Sequence, residues 1–258
     1  MPEKHFAKGF NSDYISKLFV CSLGLYMPAQ QKKALFCIAG VLSFACALSI
    51  AAAIGTQLWI RGGILCKTGA LLVNATGQEL EKFIGEIQYG LFYGERVRQC
   101  GLGGRPFRFS FFPDLFKVIP ASIHVSVILF SLVLLVFALI GTGFFMYNAF
   151  GKPYETLHGP LGLYLWSFIS FSCGCLIMIL FSSEVKIHHL SEKIANYKEG
   201  SFIFKTNSEQ FENSFWIILV CSLVHFLNIL LIRLAGFEFP FSKSKDPETA
   251  NGAADLMY

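Results

Sequence analysis

Two kinds of covalent chemistry are suggested by residues that follow the first long apolar run of the sequence. Cys66 and Cys100 are thiols within one polar segment, and a pair of thiols in an oxidising compartment forms a disulfide. Asn74-Ala75-Thr76 lies between them and is the only N-x-S/T sequon of the 258-residue chain. Such a sequon accepts N-linked oligosaccharides in secreted and cell-surface proteins. Both signals predict that this segment lies outside the cytoplasm.

The positions of the other cysteines favour a bond between Cys66 and Cys100. The chain has eight cysteines, of which Cys21 lies in the amino-terminal arm. A disulfide that closes a loop of about 35 residues stabilises a domain by roughly 3–4 kcal/mol on the chain-entropy model. The alternative is two free thiols in a cytoplasmic loop. The remaining five cysteines lie in long apolar runs: Cys37, Cys46, Cys173, Cys175 and Cys221.

Four long apolar runs place the chain in a membrane. Hydrophobic residues make up 54% of the sequence, charged residues make up 15%, and the mean hydropathy is +0.54. A helix needs roughly 20 apolar residues to cross about 30 Å of hydrocarbon, and backbone groups in lipid must bond within the helix. We therefore predict an all-α membrane protein, a bundle of four transmembrane helices. The predicted spans are residues 34–60, 119–149, 160–183 and 214–236.

These spans divide the rest of the chain between the two sides of the membrane. Four spans put both termini on one side, and the sequon and cysteine pair put the first long loop on the other. Lys and Arg are nearly balanced between the sides, although Lys32-Lys33 weakly favours a cytoplasmic amino terminus. We predict a multi-pass plasma-membrane protein that uses the secretory pathway and has cytoplasmic termini. The predicted segments are a cytoplasmic arm at 1–33, extracellular loops at 61–118 and 184–213, a cytoplasmic loop at 150–159 and a cytoplasmic tail at 237–258.

The two outer loops have patterns of their own. Apolar residues recur at helical spacing between residues 80 and 91, which predicts a helix. "PFRFSFF" alternates phenylalanine with polar residues and predicts a strand, which "LFYGERVRQCGL" could pair with through a glycine-rich turn. The first loop is therefore predicted to form a small mixed α/β cap on the helix ends. "EVKIHHLSEKIANYK" in the second loop predicts that the third span continues as a helix above the membrane.

Side chains that bind metals or catalyse reactions are few. His188 and Glu192 stand at i and i+4, but no third ligand has matching spacing, so we interpret them as a solvated helix face. His124, His225 and Asn228 lie in predicted spans, where no acidic residue lies deep. We interpret His225 and Asn228 as groups that hydrogen-bond between helices, rather than as a conduction path. The sequence has no nucleophile–base arrangement in an accessible place, so we predict no catalytic residue, cofactor or metal site.

Further predictions concern the ends of the first span and of the chain. Trp59 closes the first apolar run, and its ring is predicted to lie at the level of the lipid headgroups as a membrane-interface anchor. Leu256 and Tyr258 fit the hydrophobic class of PDZ ligand, with a PDZ scaffold as the predicted partner. Met27 opens "MPAQQKK", which looks like an initiation site, so residues 1–26 are interpreted as an extension. No basic run interleaved with aromatics points to nucleic acid.

The pattern of four helices, a large first loop and a tryptophan followed by two loop cysteines resembles the claudin and peripheral-myelin-protein superfamily. Gln57-Leu58-Trp59 departs from the G-L-W of the claudin motif, and the gap between Cys66 and Cys100 is much longer. These departures put claudin-type pore chemistry in doubt.

Six stretches of the sequence carry a closer resemblance: "QQKKALFCIAGVLSFACAL", "LCKTGALLVNATGQEL", "VRQCGLGGRPFRFSFFPDL", "MYNAFGKPYETLHGPLGLYL", "SEVKIHHLSEKIANYKEG" and "LIRLAGFEFPF…AADLMY". On these stretches the chain resembles the clarin family, from Met27 to Tyr258. The resemblance implies a glycosylated tetraspan protein at the hair bundles and ribbon synapses of hair cells and photoreceptors. It further implies the organisation of membrane domains, adhesion and cortical actin, with roles in hearing and vision, and glycosylation at Asn74. The implied partners are membrane lipid, other membrane proteins in cis and actin-linked assemblies, and the alternative function is an auxiliary subunit of an ion channel.

Overall fold

The computed structural model describes residues 29–151 and 160–235 of the chain. Four of its helices are long and apolar enough to cross a membrane. The shortest has 22 residues, which at 1.5 Å per residue is about 33 Å and matches the thickness of a hydrocarbon core. Numbered with the two short helices in chain order, they are α1 (Ala29–Gly55), α3 (Ala121–Phe150), α4 (Pro160–Lys186) and α6 (Asn213–Leu234).

The four long helices pack as a ring in which α1 contacts α3 and α6, and α4 contacts the same two helices. Small residues bring the helices close together. The Ser43 hydroxyl on α1 donates a hydrogen bond to the carbonyl of Ala138 on α3 at 2.9 Å. A Cβ atom at Gly174 of α4 would lie 2.7 Å from the Ser222 side chain of α6. Such contacts replace the hydrophobic driving force that is absent between helices in lipid.

The two outer loops together form one antiparallel sheet on the helix ends. Its strand order is β4-β3-β2-β1-β5. Ile60 lies opposite Phe211 and Cys66 lies opposite Phe204, so β1 joins the first loop to a strand of the second. We use the term distal end for the strand ends of the sheet that lie away from the helices, where β1 and β3 finish. The strands are β1 (Ile60–Cys66), β2 (Ile84–Tyr89), β3 (Tyr93–Gln99), β4 (Gly104–Ser110) and β5 (Phe204–Phe211).

This architecture confirms the predicted fold class of a four-helix membrane bundle with a small mixed cap. The predicted strand over "PFRFSFF" is found as β4, and the predicted pairing strand is β3. The turn between them contains Gly101 at φ +88° and Gly103 at φ +95°, a left-handed conformation that glycine adopts without steric penalty. The short α-helix of the first loop, α2 (Lys67–Leu72), follows β1 at the distal end.

The helix predicted between residues 80 and 91 is wrong. A 3-10 helix covers Gly77–Phe83, and the chain then runs as β2, paired with both β1 and β3. The burial of β2 alternates, with Ile87 and Tyr89 fully buried. Two ladders of backbone hydrogen bonds outweigh the local helical spacing. A Cβ atom at Gly85 would lie 2.0 Å from the Val97 carbonyl oxygen, so the strands approach closely here.

The second outer loop also differs from the prediction. The third membrane helix continues only to Lys186, and the short helix α5 (Leu190–Asn196) starts after His189, whose φ is +50°. The helical spacing is therefore divided between two helices. β5, which follows α5, was not predicted, because its polar sequence KTNSEQ alternates too weakly to indicate a strand.

Candidate functional site

Trp59 lies where the bundle meets the cap, and its ring is fully buried. The indole Nε1 donates to the Ala53 carbonyl at 2.8 Å, and the ring packs edge-on against Phe181 of α4 with centroids 5.0 Å apart. The prediction that Trp59 anchors the chain at the lipid headgroups is not met. The helix α1 ends at Gly55, so the chain has already turned into the interior when it reaches the tryptophan. Trp59 therefore anchors the cap to the helices rather than to lipid.

A histidine and a glutamate form a buried pair at the same junction. His124 on α3 and Glu184 on α4 both have fully buried side chains. The Nδ1 atom of His124 lies 3.0 Å from one carboxylate oxygen of Glu184 and 2.9 Å from the other. The other ring nitrogen, Nε2, lies 2.8 Å from the carbonyl oxygen of Leu91 in the β2–β3 turn. The pair thus connects two membrane helices with the cap.

These contacts fix the number of protons that the pair holds. A carbonyl oxygen only accepts hydrogen bonds, so Nε2 of His124 must carry a proton to bind the Leu91 carbonyl. A second proton must lie between Nδ1 and the Glu184 carboxylate, because two lone pairs cannot bond. His124 and Glu184 are therefore either an imidazolium and a carboxylate or a neutral imidazole and a carboxylic acid. Both forms keep the hydrogen bonds of His124 to Glu184 and to the Leu91 carbonyl.

Aromatic rings close this junction from the cap side. Tyr89 stacks on the His124 ring with centroids 5.6 Å apart, and its hydroxyl lies 3.1 Å from Nε2. Phe111 also packs against the His124 ring, with its centroid 4.4 Å from that of His124. Burial, together with the nearby charge of Glu184, raises the pKa of Tyr89 well above its ordinary value. The phenol therefore stays protonated and neutral beside the pair.

The contact between His124 and Glu184 was not predicted from the sequence. The predicted third span ended at residue 183, which left Glu184 in the second outer loop, whereas α4 runs to Lys186 and includes it. A helix longer than the apolar run takes in the first polar residue after that run. One feature of the sequence could have indicated the contact, since both residues stand at the outer ends of adjacent predicted spans.

Arg96 of β3 binds the second outer loop, and sequence reasoning missed it as well. Its side chain is fully buried. Its Nη2 donates to the Tyr197 carbonyl at 2.6 Å and its Nη1 donates to the Ala195 carbonyl at 3.3 Å and to the Ile194 carbonyl. These carbonyls lie at the end of α5, where the last turn lacks regular i+4 donors; the Ile194 carbonyl also accepts from the backbone N–H of Tyr197 at 3.3 Å. Burial, and secondarily Arg98, lowers the pKa of Arg96 to about 10, so the guanidinium remains charged at neutral pH.

Cys66 and Cys100 lie together at the distal end of the sheet, where the structure joins them as a disulfide with Cα atoms 5.5 Å apart. Cys66 ends β1 and Cys100 follows β3. These two strands flank β2, so the bridge crosses over the start of that strand. It holds the β3–β4 turn against the base of α2.

Asn74 lies just after α2, and its side chain is exposed. Its φ is +50°, and its backbone N–H donates to the Leu71 carbonyl at 3.3 Å. β1 separates the bundle from α2 and has seven residues, so the sequon stands about 20 Å from the helix ends.

The other polar residues that the sequence singled out have different surroundings. Glu192 binds Lys205, with 2.6 Å between Oε1 and Nζ, so it is an ion-pair partner. Within residues 29–151 and 160–235, no three His, Cys, Asp or Glu residues are grouped to hold a metal. The Nε2 atom of His225 and the Asn228 amide are buried without a hydrogen-bond partner among the described residues. The predicted bonds of these two groups between helices are therefore not found there. Leu256 and Tyr258 lie outside the described residues.

Comparisons with known proteins agree with this architecture. A family model described as Clarin-2-like matches residues 31–232, most of the chain. The chain belongs to the clarin family. It is 75% identical to human Clarin-1 over 232 residues, which are 90% of this chain and all of the relative. It is 41% identical to human Clarin-2 over the same length and share of each chain. The clarin family match and the four apolar helices together make the chain a multi-pass membrane protein.

Proposed function

We propose that this clarin-family chain is a glycosylated plasma-membrane protein of sensory cells that organises membrane domains, adhesion and cortical actin. It acts at the hair bundles and ribbon synapses of hair cells and photoreceptors, and it is required for hearing and vision. The similarity to Clarin-1 over that relative's whole length supports the family role. The proposed role is structural rather than catalytic.

The observation that carries the proposal is the attachment of the cap to the helices. Both outer loops form one sheet through the pairing of β1 with β5. His124 and Glu184 bond this sheet to α3 and α4 through the Leu91 carbonyl. A cap held at fixed orientation presents one surface to partners, as a scaffold requires. Among the described residues of the four long helices, Glu184 is the sole carboxylate and is used by this junction, whereas a proton or ion path needs a chain of such groups.

The proposed orientation has the cap outside the cell and both termini in the cytoplasm. It is supported by the position of the sequon and of the disulfide on the same side of the bundle, since glycosylation and disulfide formation take place in the secretory pathway. The proposed partners are membrane lipid and membrane proteins in cis around the helices, and actin-linked assemblies in the cytoplasm.

Restoration of function in sensory cells that lack the endogenous protein tests this role. We expect the wild-type chain to restore hair-bundle actin and ribbon-synapse organisation. The doubly substituted His124→Leu/Glu184→Leu chain should reach the surface but restore little, because the Leu91 carbonyl of its cap is no longer bonded to the pair on α3 and α4. Exposed Arg108→Lys serves as the matched control. Equal restoration by the double variant and by wild type would show that a fixed cap is not required.

A PDZ scaffold is the proposed cytoplasmic link. In a peptide added to a sheet edge, alternate side chains enter the groove, so Leu256 and Tyr258 would bind and Met257 would face away. We expect Tyr258→Ala to abolish capture of PDZ domains by the full chain and Met257→Ala to leave it unchanged. Equal capture by wild type and Tyr258→Ala would exclude this mode of binding.

The second candidate is an auxiliary subunit of an ion channel. It is favoured by a stripe of exposed apolar residues on α3, which could contact either lipid or a neighbouring membrane helix: Val125, Leu129, Leu132, Val136 and Leu139. Co-expression with channels of hair cells, followed by current recording, distinguishes the two functions. A shift in channel gating together with co-purification favours the subunit, and unchanged currents favour the scaffold.

A further inference from the structure

An exposed apolar patch lies beside the sequon. Leu71, Leu72 and Val73 are three consecutive large apolar residues with 64%, 76% and 61% of their surfaces exposed. Contiguous apolar residues of this kind on a soluble surface mark a place that something covers. The patch stands at the distal end, about 20 Å from the helices by the length of β1, so the lipid bilayer does not cover it.

The backbone holds Asn74 against this patch. The N–H of Asn74 donates to the Leu71 carbonyl at 3.3 Å, and the N–H of Ala75 donates to the Ala70 carbonyl at 3.0 Å. The chain therefore folds back on the end of α2 instead of leading away from it. The Asn74 side chain is exposed, and a group attached to it begins its course next to the leucines.

A groove continues from the patch. It has a volume of about 540 Å³ and is lined by α2 and by the start of β5. Its floor is apolar, and lysines stand on its rim, of which Lys67 makes no ion pair with another described residue. Sugar rings have apolar C–H faces and polar edges. The apolar floor of the groove therefore suits the faces, and the lysines of its rim suit the edges. The lining residues are Lys67, Thr68, Leu71, Leu72, Ile203 and Lys205.

We propose that the N-linked oligosaccharide of Asn74 folds back over Leu71, Leu72 and the adjoining groove and shields them from water. This inference rests on the proposed glycosylation of Asn74. The first sugars lie on the leucines with their C–H faces, and the Lys67 ammonium group donates hydrogen bonds to their oxygen atoms. The oligosaccharide is then part of the cap surface. It keeps an aggregation-prone patch covered.

Carbene footprinting of the full chain in lipid nanodiscs tests the proposal. Protein from a glycosylating cell line is labelled with a photoactivated diazirine before and after glycosidase treatment. Labelling of Leu71, Leu72 and Val73 should rise several-fold when the sugar is removed. Leu102, which is 94% exposed in the β3–β4 turn, is the internal control and should not change. Labelling of the leucines that is already high before glycosidase treatment overturns the proposal. Labelling that stays low after the sugar is removed also overturns it, and would indicate a protein partner on the patch.

A suppressor experiment in cells gives an independent readout. Thr76→Ala removes the sequon, and Thr76→Ser keeps it. We expect Thr76→Ala to lower the surface fraction several-fold, and Leu71→Ser/Leu72→Ser to restore it in the same chain. The serine pair should leave the glycosylated protein unaffected. Failure of the serine pair to restore Thr76→Ala overturns the shielding role. If intact mass shows no sugar on the wild-type chain, the glycosylation itself fails, and the two outcomes are told apart by that mass.

Discussion

The Nδ1 atom of His124 lies 2.9 Å from a carboxylate oxygen of Glu184, and both side chains are completely removed from solvent. The two residues belong to different membrane helices, and the remaining imidazole nitrogen binds the cap. These two contacts of His124 therefore fix the relation of three elements that are distant in the sequence.

We expect single substitution of this pair to be more harmful than double substitution. Glu184→Leu or His124→Leu leaves a buried polar group without its partner, and breaking such a pair typically costs about 3–5 kcal/mol. The double variant His124→Leu/Glu184→Leu removes both groups and should lose less than the sum of the two singles. Thermal unfolding in detergent micelles measures the three variants. Additive losses would contradict the coupling of the two residues.

Arg96→Lys should loosen the second outer loop although it keeps the charge. A lysine ammonium cannot reproduce the planar fork that donates to the carbonyls at the end of α5, and we expect a loss of about 1–3 kcal/mol. Hydrogen exchange of residues 190–197 reports the change directly. Arg108→Lys, whose side chain is 83% exposed, is the matched control and should change stability by less than about 1 kcal/mol. Equal exchange in the two variants would argue against the role of Arg96.

Cys66 and Cys100 should resist thiol labelling in the native protein until they are reduced. Replacing both by serine should lower the unfolding free energy by about 2–5 kcal/mol, as the loss of a native disulfide does in small domains. Mass spectrometry of the alkylated peptides measures the labelling. Modification of either thiol in untreated native protein would show that the bond is absent.

Asn74→Gln should remove a glycosidase-sensitive mass shift in expressing cells. Asn207→Gln is a suitable control, because Asn207 is exposed on β5 and is not part of a sequon. Electrophoresis with and without glycosidase gives the answer. A shift that persists in Asn74→Gln would show that the cap does not face the secretory lumen as proposed.

The raised pKa of Tyr89 predicts a loss of folding stability at alkaline pH. Its folded-state pKa lies well above the ordinary value of 10.0, so the unfolded chain releases the phenolic proton first. The contribution of the neutral phenol is fully present below pH 10 and is lost as pH rises above it towards the folded-state pKa. Tyr89→Phe should flatten this part of the curve of melting temperature against pH. An equally steep alkaline loss in Tyr89→Phe would assign it to another group.

The four spans could be predicted from their length and apolarity. Backbone groups in lipid must form hydrogen bonds within their own segment, so runs such as the one preceding Trp59 must be helical. Alternation similarly identified β4. Ile87 shows where this reasoning fails, since its spacing suits a helix but its partners are two strands. Pairing depends on residues elsewhere in the chain, and a local pattern does not contain them.

The candidate site was less accessible to sequence reasoning for a related reason. Cys66, Cys100 and Asn74 carry chemistry that a sequence displays directly. His124, Glu184 and Arg96 act through where they meet other elements, and no spacing rule relates them. Trp59 was correctly predicted to lie at the end of the first span, but it contacts protein groups and not lipid headgroups. The turn after Gly55 that causes this cannot be recognised from the composition of the apolar run.

The pairing of β1 with β5 also sets an order of events during biosynthesis. In the proposed orientation β1 enters the lumen soon after the first helix, whereas β5 follows the third, more than one hundred residues later. At roughly 5–20 residues per second of translation, β1 waits on the order of ten seconds with one edge open. Premature termination before β5 leaves that edge open permanently, and an unpaired edge recruits other strands. Such truncated chains should therefore be ligands of lumenal chaperones rather than partly working membrane proteins.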